Sequence, residues 1–115
     1  MATEKKNLDE LFSEIGRAPL ISAEEELALI QAIQEKGFEC EEMGKLIESN
    51  RRFVVSVAVQ YQNKGLSLEE LIEAGTDGLR TAAQKYNTEE SKFKFVPYAV
   101  WWVRQRILQA LNEKT

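Results

Sequence analysis

The sequence of 115 residues contains no histidine, a single cysteine and only two prolines. The missing histidine removes the commonest general base and the commonest metal ligand of proteins. No glycine-rich loop that would hold a phosphate is present. Cys40 alone forms neither an internal disulfide nor a metal cluster, and an ordinary half-buried thiol is its simplest interpretation. These absences argue against an enzyme and predict neither a cofactor nor a metal.

The chain also lacks a run of apolar residues long enough to span a membrane, and its first residues lack the apolar core of a signal peptide. We therefore expect a soluble, cytoplasmic protein without a membrane partner. A chain of this length can bury one modest hydrophobic core. The expected organisation is one domain over residues 1–115, in which 1–37 form an N-terminal helical segment and 42–115 carry the main helices.

The acidic net charge of −4 is unevenly distributed along the chain. Residues 1–91 carry 10 Lys and Arg against 18 Asp and Glu, a balance of −8, whereas residues 92–115 carry 5 cations against one acid, a balance of +4. Such asymmetry favours a nucleic-acid surface near the C-terminus and a different partner on the acidic side. For most individual acids, a solvated helix face is the simpler explanation.

Apolar side chains recur with the 3.6-residue period of helices, and no strand-like alternation is present. Two capping boxes, Ser22 with Glu25 and Ser67 with Glu70, mark helix starts. The predicted helices run from an N-cap at Asn7 to Gly16, from Ser22 to Gly37, over about 43–61, from Ser67 to Tyr86, and over about 97–112. The predicted fold class is therefore all-α, a compact bundle of about five helices.

Three residues inside these helices are unusual for their positions. Asn50 falls where the apolar period would bury it, so its amide needs hydrogen-bond partners. A packed, satisfied amide is the simplest interpretation. Gly75 and Gly78 lie in mid-helix, where each costs about 1 kcal/mol relative to alanine. Their presence predicts a close approach of another helix.

Residues 93–105 hold five of the aromatic side chains, including both tryptophans, interleaved with cations. Pro97 suits the first turn of a helix. In that helix Trp101, Gln105 and Leu108 lie opposite the apolar stripe that would dock on a core. Two interpretations remain open for the rings: a second layer of protein covers them, or they form a surface on which unpaired nucleic-acid bases stack.

Four groups of residues follow one another in a fixed order: 46–58, 61–72, Gly75 with Gly78 and Leu79, and Phe93-Lys94-Phe95 with 98–105. In this order they closely resemble the second domain of bacterial sigma factors of the sigma-70 family, of the housekeeping type. Residues 20–26 resemble the segment that precedes that domain. The resemblance covers nearly the whole chain.

The resemblance implies a surface that recognises and opens the promoter minus-ten element and holds single-stranded non-template bases flipped from the stack. The rings implied to wedge the duplex open and enclose a flipped adenine are Phe93, Phe95, Tyr98, Trp101 and Trp102. The other implied DNA contacts are Gln105 at the upstream edge of the element, Lys94 and Arg104 on phosphates, and Asn50 and Phe53 around a second flipped base.

The resemblance implies a second surface, on the helix from Ser67 to Tyr86, for the clamp helices of the largest subunit of core RNA polymerase. The positions implied to contact polymerase are Leu71, Glu73, Ala74, Thr76, Asp77 and Arg80. An anti-sigma factor or a co-regulator is a further kind of partner that the resemblance suggests. Opening a promoter in this way changes no covalent bond and needs no catalytic residue.

The sequence departs from the family pattern on both surfaces. Val96-Pro97 stands where the family usually has two small hydroxyl residues, and residues 73–77 with Arg80 alter the polymerase-binding helix. Leu108 and Gln109 replace polar or basic residues near the upstream edge. Three hypotheses therefore remain: a promoter-opening sigma domain, a sigma-like module that binds polymerase or mimics that binding without opening promoters, and a structural helical domain whose aromatic side chains are all covered.

Overall fold

The computed structural model describes residues 22–37, 39–89 and 94–114. The helices of this part are α1 (Ala23–Lys36), α2 (Glu41–Ser49), α3 (Arg51–Val59), α4 (Leu68–Lys85) and α5 (Phe95–Lys114). The described part contains no strand, and the prediction of an all-α fold is confirmed. The helix predicted from Asn7 to Gly16 lies outside the described residues.

Both predicted capping boxes form and fix the starts of α1 and α4. The Ser22 hydroxyl accepts from the Glu25 amide at 3.1 Å, and the Glu25 carboxylate accepts from the Ser22 amide at 3.0 Å. The same pair of bonds joins Ser67 and Glu70, at 3.1 and 2.9 Å. Each box satisfies two N–H groups that a helix start otherwise leaves without a partner.

The single long helix predicted over 43–61 is divided in two at Asn50. This residue has φ −109° and ψ 9°, outside helical values. Its side-chain amide donates to the Leu46 carbonyl at 3.0 Å, while its backbone N–H donates to the carbonyls of Leu46 and Ile47 at 3.2 Å. Asparagine often competes with the helical hydrogen-bond ladder in this way. The helical conformation resumes at once in α3, where the Val54 amide donates to the Asn50 carbonyl at 3.1 Å.

The hydrophobic core lies between α4 and α5, and α1, α2 and α3 pack around that pair. Its largest fully buried side chains are Ile30, Ile33, Leu46, Leu71, Leu79, Ile107, Val54 and Val103. Val55 is fully buried in a separate small cluster with Val59, Leu68 and Ile72. Within each helix the buried residues recur with the 3.6-residue period predicted from the sequence. No helix in the described part of the chain has the length and apolar character needed to cross a membrane.

The two glycines of α4 allow α5 to approach closely, as predicted. A Cβ on Gly75 would lie 3.0 Å from a methyl carbon of Val54 and 3.2 Å from one of Val103. A Cβ on Gly78 would lie 2.5 Å from the carbonyl oxygen of Trp102, which is far inside van der Waals contact. The position of α5 therefore depends on Gly78 having no side chain.

α5 begins at Phe95, two residues before the predicted start at Pro97. Pro97 is thus the third residue of the helix. The first four N–H groups of a helix have no intrahelical partner, so the missing N–H of proline removes no bond there. The helix also runs to Lys114, two residues beyond the prediction.

Two glutamines join α1 to the C-terminal end of α4. Gln34 donates to the carbonyls of Ala83 and Tyr86 at 3.0 and 2.7 Å, and Gln84 donates to the Ile33 carbonyl at 3.3 Å. Carbonyls at helix ends otherwise lack intrahelical partners. Gln34 therefore gives partners to carbonyls at the end of α4, whereas Gln84 is a second donor to the Ile33 carbonyl, which already accepts from the Gly37 amide at 2.7 Å. Together these bonds fix α1 beside the segment that leads into α5.

Candidate nucleic-acid and protein interfaces

The outer face of α5 carries large apolar side chains that remain exposed. Trp101 is 57% exposed and Leu108 is 40% exposed, and they are the exposed large hydrophobic residues of the described chain. Arg104 and Gln105 are exposed on the same face. The opposite side of the helix is buried in the core at Val103. The hypothesis that other protein covers all the aromatic side chains is therefore wrong for Trp101 within the described residues.

Tyr98 and Trp102 lie at the edge of this face, half-buried and held by other rings. Trp102 meets Trp101 edge to face, with ring centroids 5.0 Å apart, and Tyr98 lies 5.4 Å from Tyr86. The Lys85 ammonium, from the last turn of α4, lies 5.9 Å from the centre of the Trp102 ring. That distance is within the range of a cation–π interaction. These contacts restrict the orientation of Trp102 before any ligand arrives.

The remaining residues of the aromatic segment are placed differently. Phe95 is only 3% exposed and packs edge to face on Tyr86, with centroids 5.4 Å apart. Its side chain therefore supports the start of α5 from inside the core. Lys94 is exposed, immediately before the helix. Phe93 lies outside the described residues.

Asn50 is 5% exposed, and its amide is satisfied within the protein. Besides the Leu46 carbonyl, its nitrogen contacts the Glu26 carboxylate at 3.3 Å and the Ser49 hydroxyl at 3.4 Å. The interpretation as a packed, satisfied amide is confirmed. Phe53 is half-buried on α3, packed against the core. Asn50 lies at the α2–α3 junction and Phe53 lies in the first turn of α3, whereas the other described rings of the candidate DNA surface belong to α5.

The pKa of Glu26 is raised because burial disfavours its charged form, and the hydrogen bond from Asn50 opposes that shift. The pKa of Tyr86 is raised by burial and by the charge of Glu26. Glu26 therefore connects α1 electrostatically both to the α2–α3 junction and to the tyrosine against which Phe95 and Tyr98 pack.

The candidate polymerase-binding residues divide between surface and core. Leu71 is fully buried, and Ala74 packs against the core. A cleft of about 370 Å³ opens beside them and is lined by Ile47, Arg51, Val54, Ile72, Glu73, Thr76, Asp77 and Arg80. At its rim Arg80 donates to Asp77 at 2.7 Å. The cleft thus brings four of the six predicted residues together and adds Arg51 from α3.

Sequence reasoning missed Glu26, Arg51 and Lys85. Glu26 is one of three glutamates in the first turn of α1, where the helix dipole alone explains acidic residues. Arg51 and Lys85 are ordinary cations on helix surfaces. Glu26 contacts Asn50 and Lys85 lies over Trp102, both on other elements, and Arg51 lines the same cleft as Asp77 from another helix. No local pattern in the sequence marks these relationships.

Known proteins resemble this chain over most of its length. The family described as Sigma-70 region 2 matches residues 46–115. RNA polymerase sigma factor SigA of Listeria monocytogenes is 41% identical over 103 residues, which are 90% of this chain and 27% of that protein. The SigA proteins of Lactococcus lactis subsp. cremoris and Clostridium acetobutylicum are 44% and 42% identical over 90% of this chain and 28% and 26% of their own lengths. The chain spans about a quarter of the relatives it matches.

Proposed function

This chain belongs to the sigma-70 family of RNA polymerase sigma factors, and we propose that it acts in transcription initiation. In this proposal it binds core RNA polymerase through α4 and recognises and opens the promoter minus-ten element with α5. Flipped non-template bases are held on the protein during opening. The relatives it matches are named RNA polymerase sigma factors, and that name supports polymerase as the partner.

The observation that carries the DNA-binding proposal is the exposure of Trp101, at 57%, on a helix whose other side is fully buried. An indole that stays in water offers a flat surface for a base. Stacking of a base on an aromatic side chain is worth about 1–3 kcal/mol, and flipping one base out costs a few kcal/mol. Several rings are therefore needed, and Tyr98 and Trp102 lie beside Trp101 to supply them.

Polar and charged groups surround these rings. Arg104 and Gln105 are exposed on the same helix, and the Lys85 ammonium lies over the Trp102 ring. In the proposal Lys94, Arg104 and Lys85 neutralise phosphates, and the Gln105 amide contacts a base edge at the upstream end of the element. A direct DNA contact by Phe95 remains a prediction, and it requires the ring to leave the core.

A second base is proposed to bind at the α2–α3 junction, beside Asn50 and Phe53. The Asn50 amide there contacts the Glu26 carboxylate at 3.3 Å, which is a long hydrogen bond. A base that accepts from this amide has to replace that bond. Glu26 of α1 is therefore part of the proposed pocket, and the segment that precedes the family domain contributes to it.

The proposed polymerase surface is the cleft between α2, α3 and α4. Glu73, Thr76, Asp77 and Arg80 line it together with apolar groups of Ile72 and Val54. Apolar floor and charged rim are the arrangement typical of protein interfaces. The buried Leu71 shapes this surface from below and does not itself reach it.

Tryptophan fluorescence tests the DNA-binding proposal directly. The chain is titrated at low salt with a short single-stranded non-template oligonucleotide that carries a minus-ten consensus, and in parallel with a scrambled oligonucleotide. We expect the consensus strand to quench the fluorescence. The affinity obtained from this titration should fall about tenfold or more in Trp101→Ala, because the stacking energy is lost. The exposed, distant Glu35→Ala should behave as the unmodified chain does.

A second candidate function is a sigma-like module that binds polymerase without opening promoters. The well-formed cleft on α4 favours it, together with Val96-Pro97 at the start of α5. Binding to core polymerase combined with no fluorescence change on either oligonucleotide would select this candidate. Absence of both activities would exclude both functions.

A further inference from the structure

Two arginines of α5 lie at opposite edges of its exposed face. Arg104 and Arg106 are two residues apart, and two residues turn a helix by about 200°. Arg104 points toward α3, where its guanidinium meets the side-chain oxygen of Gln60 at 3.5 Å. Arg106 points toward α4, where its Nη2 donates to the Thr81 hydroxyl at 3.1 Å. The two edges of the face therefore each carry a guanidinium.

The Arg106 guanidinium is held in place by a buried partner. Thr81 is 8% exposed, and its own hydroxyl donates to the Asp77 carbonyl at 3.1 Å, which leaves its oxygen lone pairs to accept from Arg106. This approach of α5 to α4 occurs where Gly78 admits the Trp102 backbone. A guanidinium has five N–H donors, so most of them remain available after the bond to Thr81.

Arg106 and Lys85 lie on the same side of the aromatic face. Arg106 follows Trp102 by one helical turn, and Lys85 follows Thr81 by one turn on α4 and sits over the Trp102 ring. The ion pairs found in the described residues join Lys36 to Glu42, Arg51 to Glu48 and Arg80 to Asp77. Neither Arg106 nor Lys85 takes part in such a pair there. Both charges are therefore available to an anion beside Trp102.

We propose that Arg106 binds a DNA phosphate and that it positions the nucleic acid against Trp102 from the α4 side. The inference rests on the proposed function, because the anion it requires is the backbone of the DNA whose bases stack on α5. A planar guanidinium already fixed by one hydrogen bond suits a phosphate, which accepts two parallel N–H bonds. The contact carries no sequence information and adds a cation to the edge opposite Arg104.

Salt dependence of binding tests this role, since each neutralised phosphate adds about 0.9 to the slope of log affinity against log salt for duplex DNA and about 0.7 for a single strand. The full chain is titrated between 50 and 200 mM salt with a labelled forked oligonucleotide that is duplex upstream and single-stranded over the non-template minus-ten element. Arg106→Gln should lower the slope by about one contact. The ratio by which Arg106→Gln binds more weakly than the unmodified chain then shrinks about threefold between 50 and 200 mM salt.

Two variants separate a phosphate contact from a structural one. Arg106→Lys keeps the charge and should keep the slope, although it loses the planar fork. Lys45→Gln removes a charge from α2, which makes no contact with α5 in the described part of the chain, and should leave the slope unchanged. A single-stranded probe in a parallel titration assigns the phosphate: a slope difference confined to the fork places it on the duplex.

The outcomes divide cleanly. A lower thermal stability of Arg106→Gln with an unchanged salt slope would overturn the inference and leave Arg106 as a clamp between α4 and α5. An equal loss of slope in Lys45→Gln would overturn it too, since removal of any surface cation would then have the same effect on the slope. Failure of the unmodified chain to bind the fork at 50 mM salt would overturn the proposed function and this inference together. If Arg106→Gln has an unchanged salt slope but keeps the consensus-dependent quenching, the inference is overturned and the proposed function stands.

Discussion

Gly78 of α4 and Trp102 of α5 approach so closely that no side chain fits between them. A Cβ built on Gly78 would lie 2.5 Å from the Trp102 carbonyl oxygen and 2.6 Å from the Val103 Cα. Both are backbone atoms and cannot move aside by changing a rotamer. The proposed DNA-binding helix is thus set in place through its backbone, at the residue whose ring lies beside Trp101.

Gly78→Ala is expected to destabilise the protein by about 2 kcal/mol. Overpacking costs about 1–3 kcal/mol, and the better helix propensity of alanine returns about 1 kcal/mol; backbone contacts put the cost at the upper end. Urea unfolding followed by circular dichroism measures the change. Gly44→Ala is the matched control, because nothing lies within 4 Å of its Cβ, and it should stabilise α2. A Gly78→Ala protein as stable as the Gly44→Ala protein would contradict the close packing.

Glu26→Gln is expected to raise stability at neutral pH. The folded-state pKa of Glu26 is raised above the ordinary value of 4.5, mainly by burial. An acid with a raised folded pKa contributes stability that is fully present below pH 4.5 and declines as pH rises through the folded pKa. The uncharged side chain of the Glu26→Gln variant does not lose this stability as pH rises, and its oxygen can still accept a hydrogen bond from Asn50.

The difference in unfolding free energy between Glu26→Gln and the unmodified chain should therefore grow from pH 4 toward pH 7. Chemical unfolding at a series of pH values measures it. Glu24→Gln, an exposed neighbour in the same turn, is the control for removing one carboxylate from the first turn of α1. A difference that is constant with pH would show that the Glu26 carboxyl is not perturbed by folding.

Gln34→Ala is expected to cost about 1–2 kcal/mol of stability. The variant loses both hydrogen bonds to the C-terminal end of α4, and each is worth about 1 kcal/mol net. Thermal unfolding checks the value. Gln31→Ala, an exposed position on the same helix, should change stability by less than about 0.5 kcal/mol. Equal effects of the two substitutions would mean that Gln34 does not join α1 to α4.

Asp77→Ala should weaken binding to core RNA polymerase on the order of tenfold while leaving folding nearly unchanged. The Asp77–Arg80 pair is exposed, and such pairs contribute about 0–1 kcal/mol to stability. At an interface, loss of a central charged contact costs about 1–2 kcal/mol or more. Competition with a labelled sigma factor for core polymerase measures the affinity. Glu35→Ala removes an exposed acid from α1 and should have no effect; a similar loss in both variants would indicate a non-specific charge effect.

Local patterns predicted much of this fold. The capping boxes at Ser22 and Ser67 were predictable because the two bonds in each involve residues only three positions apart. Helical periodicity predicted that Trp101 lies opposite the apolar stripe that contains Val103. It left open whether other protein covers Trp101, and the structure leaves that ring exposed. The division at Asn50 was not predicted, since the apolar period continues through it. The break arises because the Asn50 side-chain amide competes with backbone N–H groups for the Leu46 carbonyl.

The candidate sites were predicted less completely. Family resemblance named Trp101, Trp102 and Asp77. The burial of Phe95 against Tyr86 was missed because the predicted helix began at Pro97, whereas Phe95 is the first residue of the helix and lies on its buried side. The contact between Glu26 and Asn50 joins residues 24 positions apart. That between Arg106 and Thr81 spans 25 positions. Such pairs leave no periodic trace in a single sequence.

The sequence by itself determined the all-α class, the helix starts at Ser22 and Ser67, the apolar stripes and the concentration of rings and cations near residue 100, because these depend on propensity, capping and spacing within a few turns. The tertiary structure decided which cations flank Trp102, which acid meets Asn50 and how closely α4 and α5 approach. Those relationships arise when the apolar stripes pack together, since packing fixes the distances between groups that are remote along the chain.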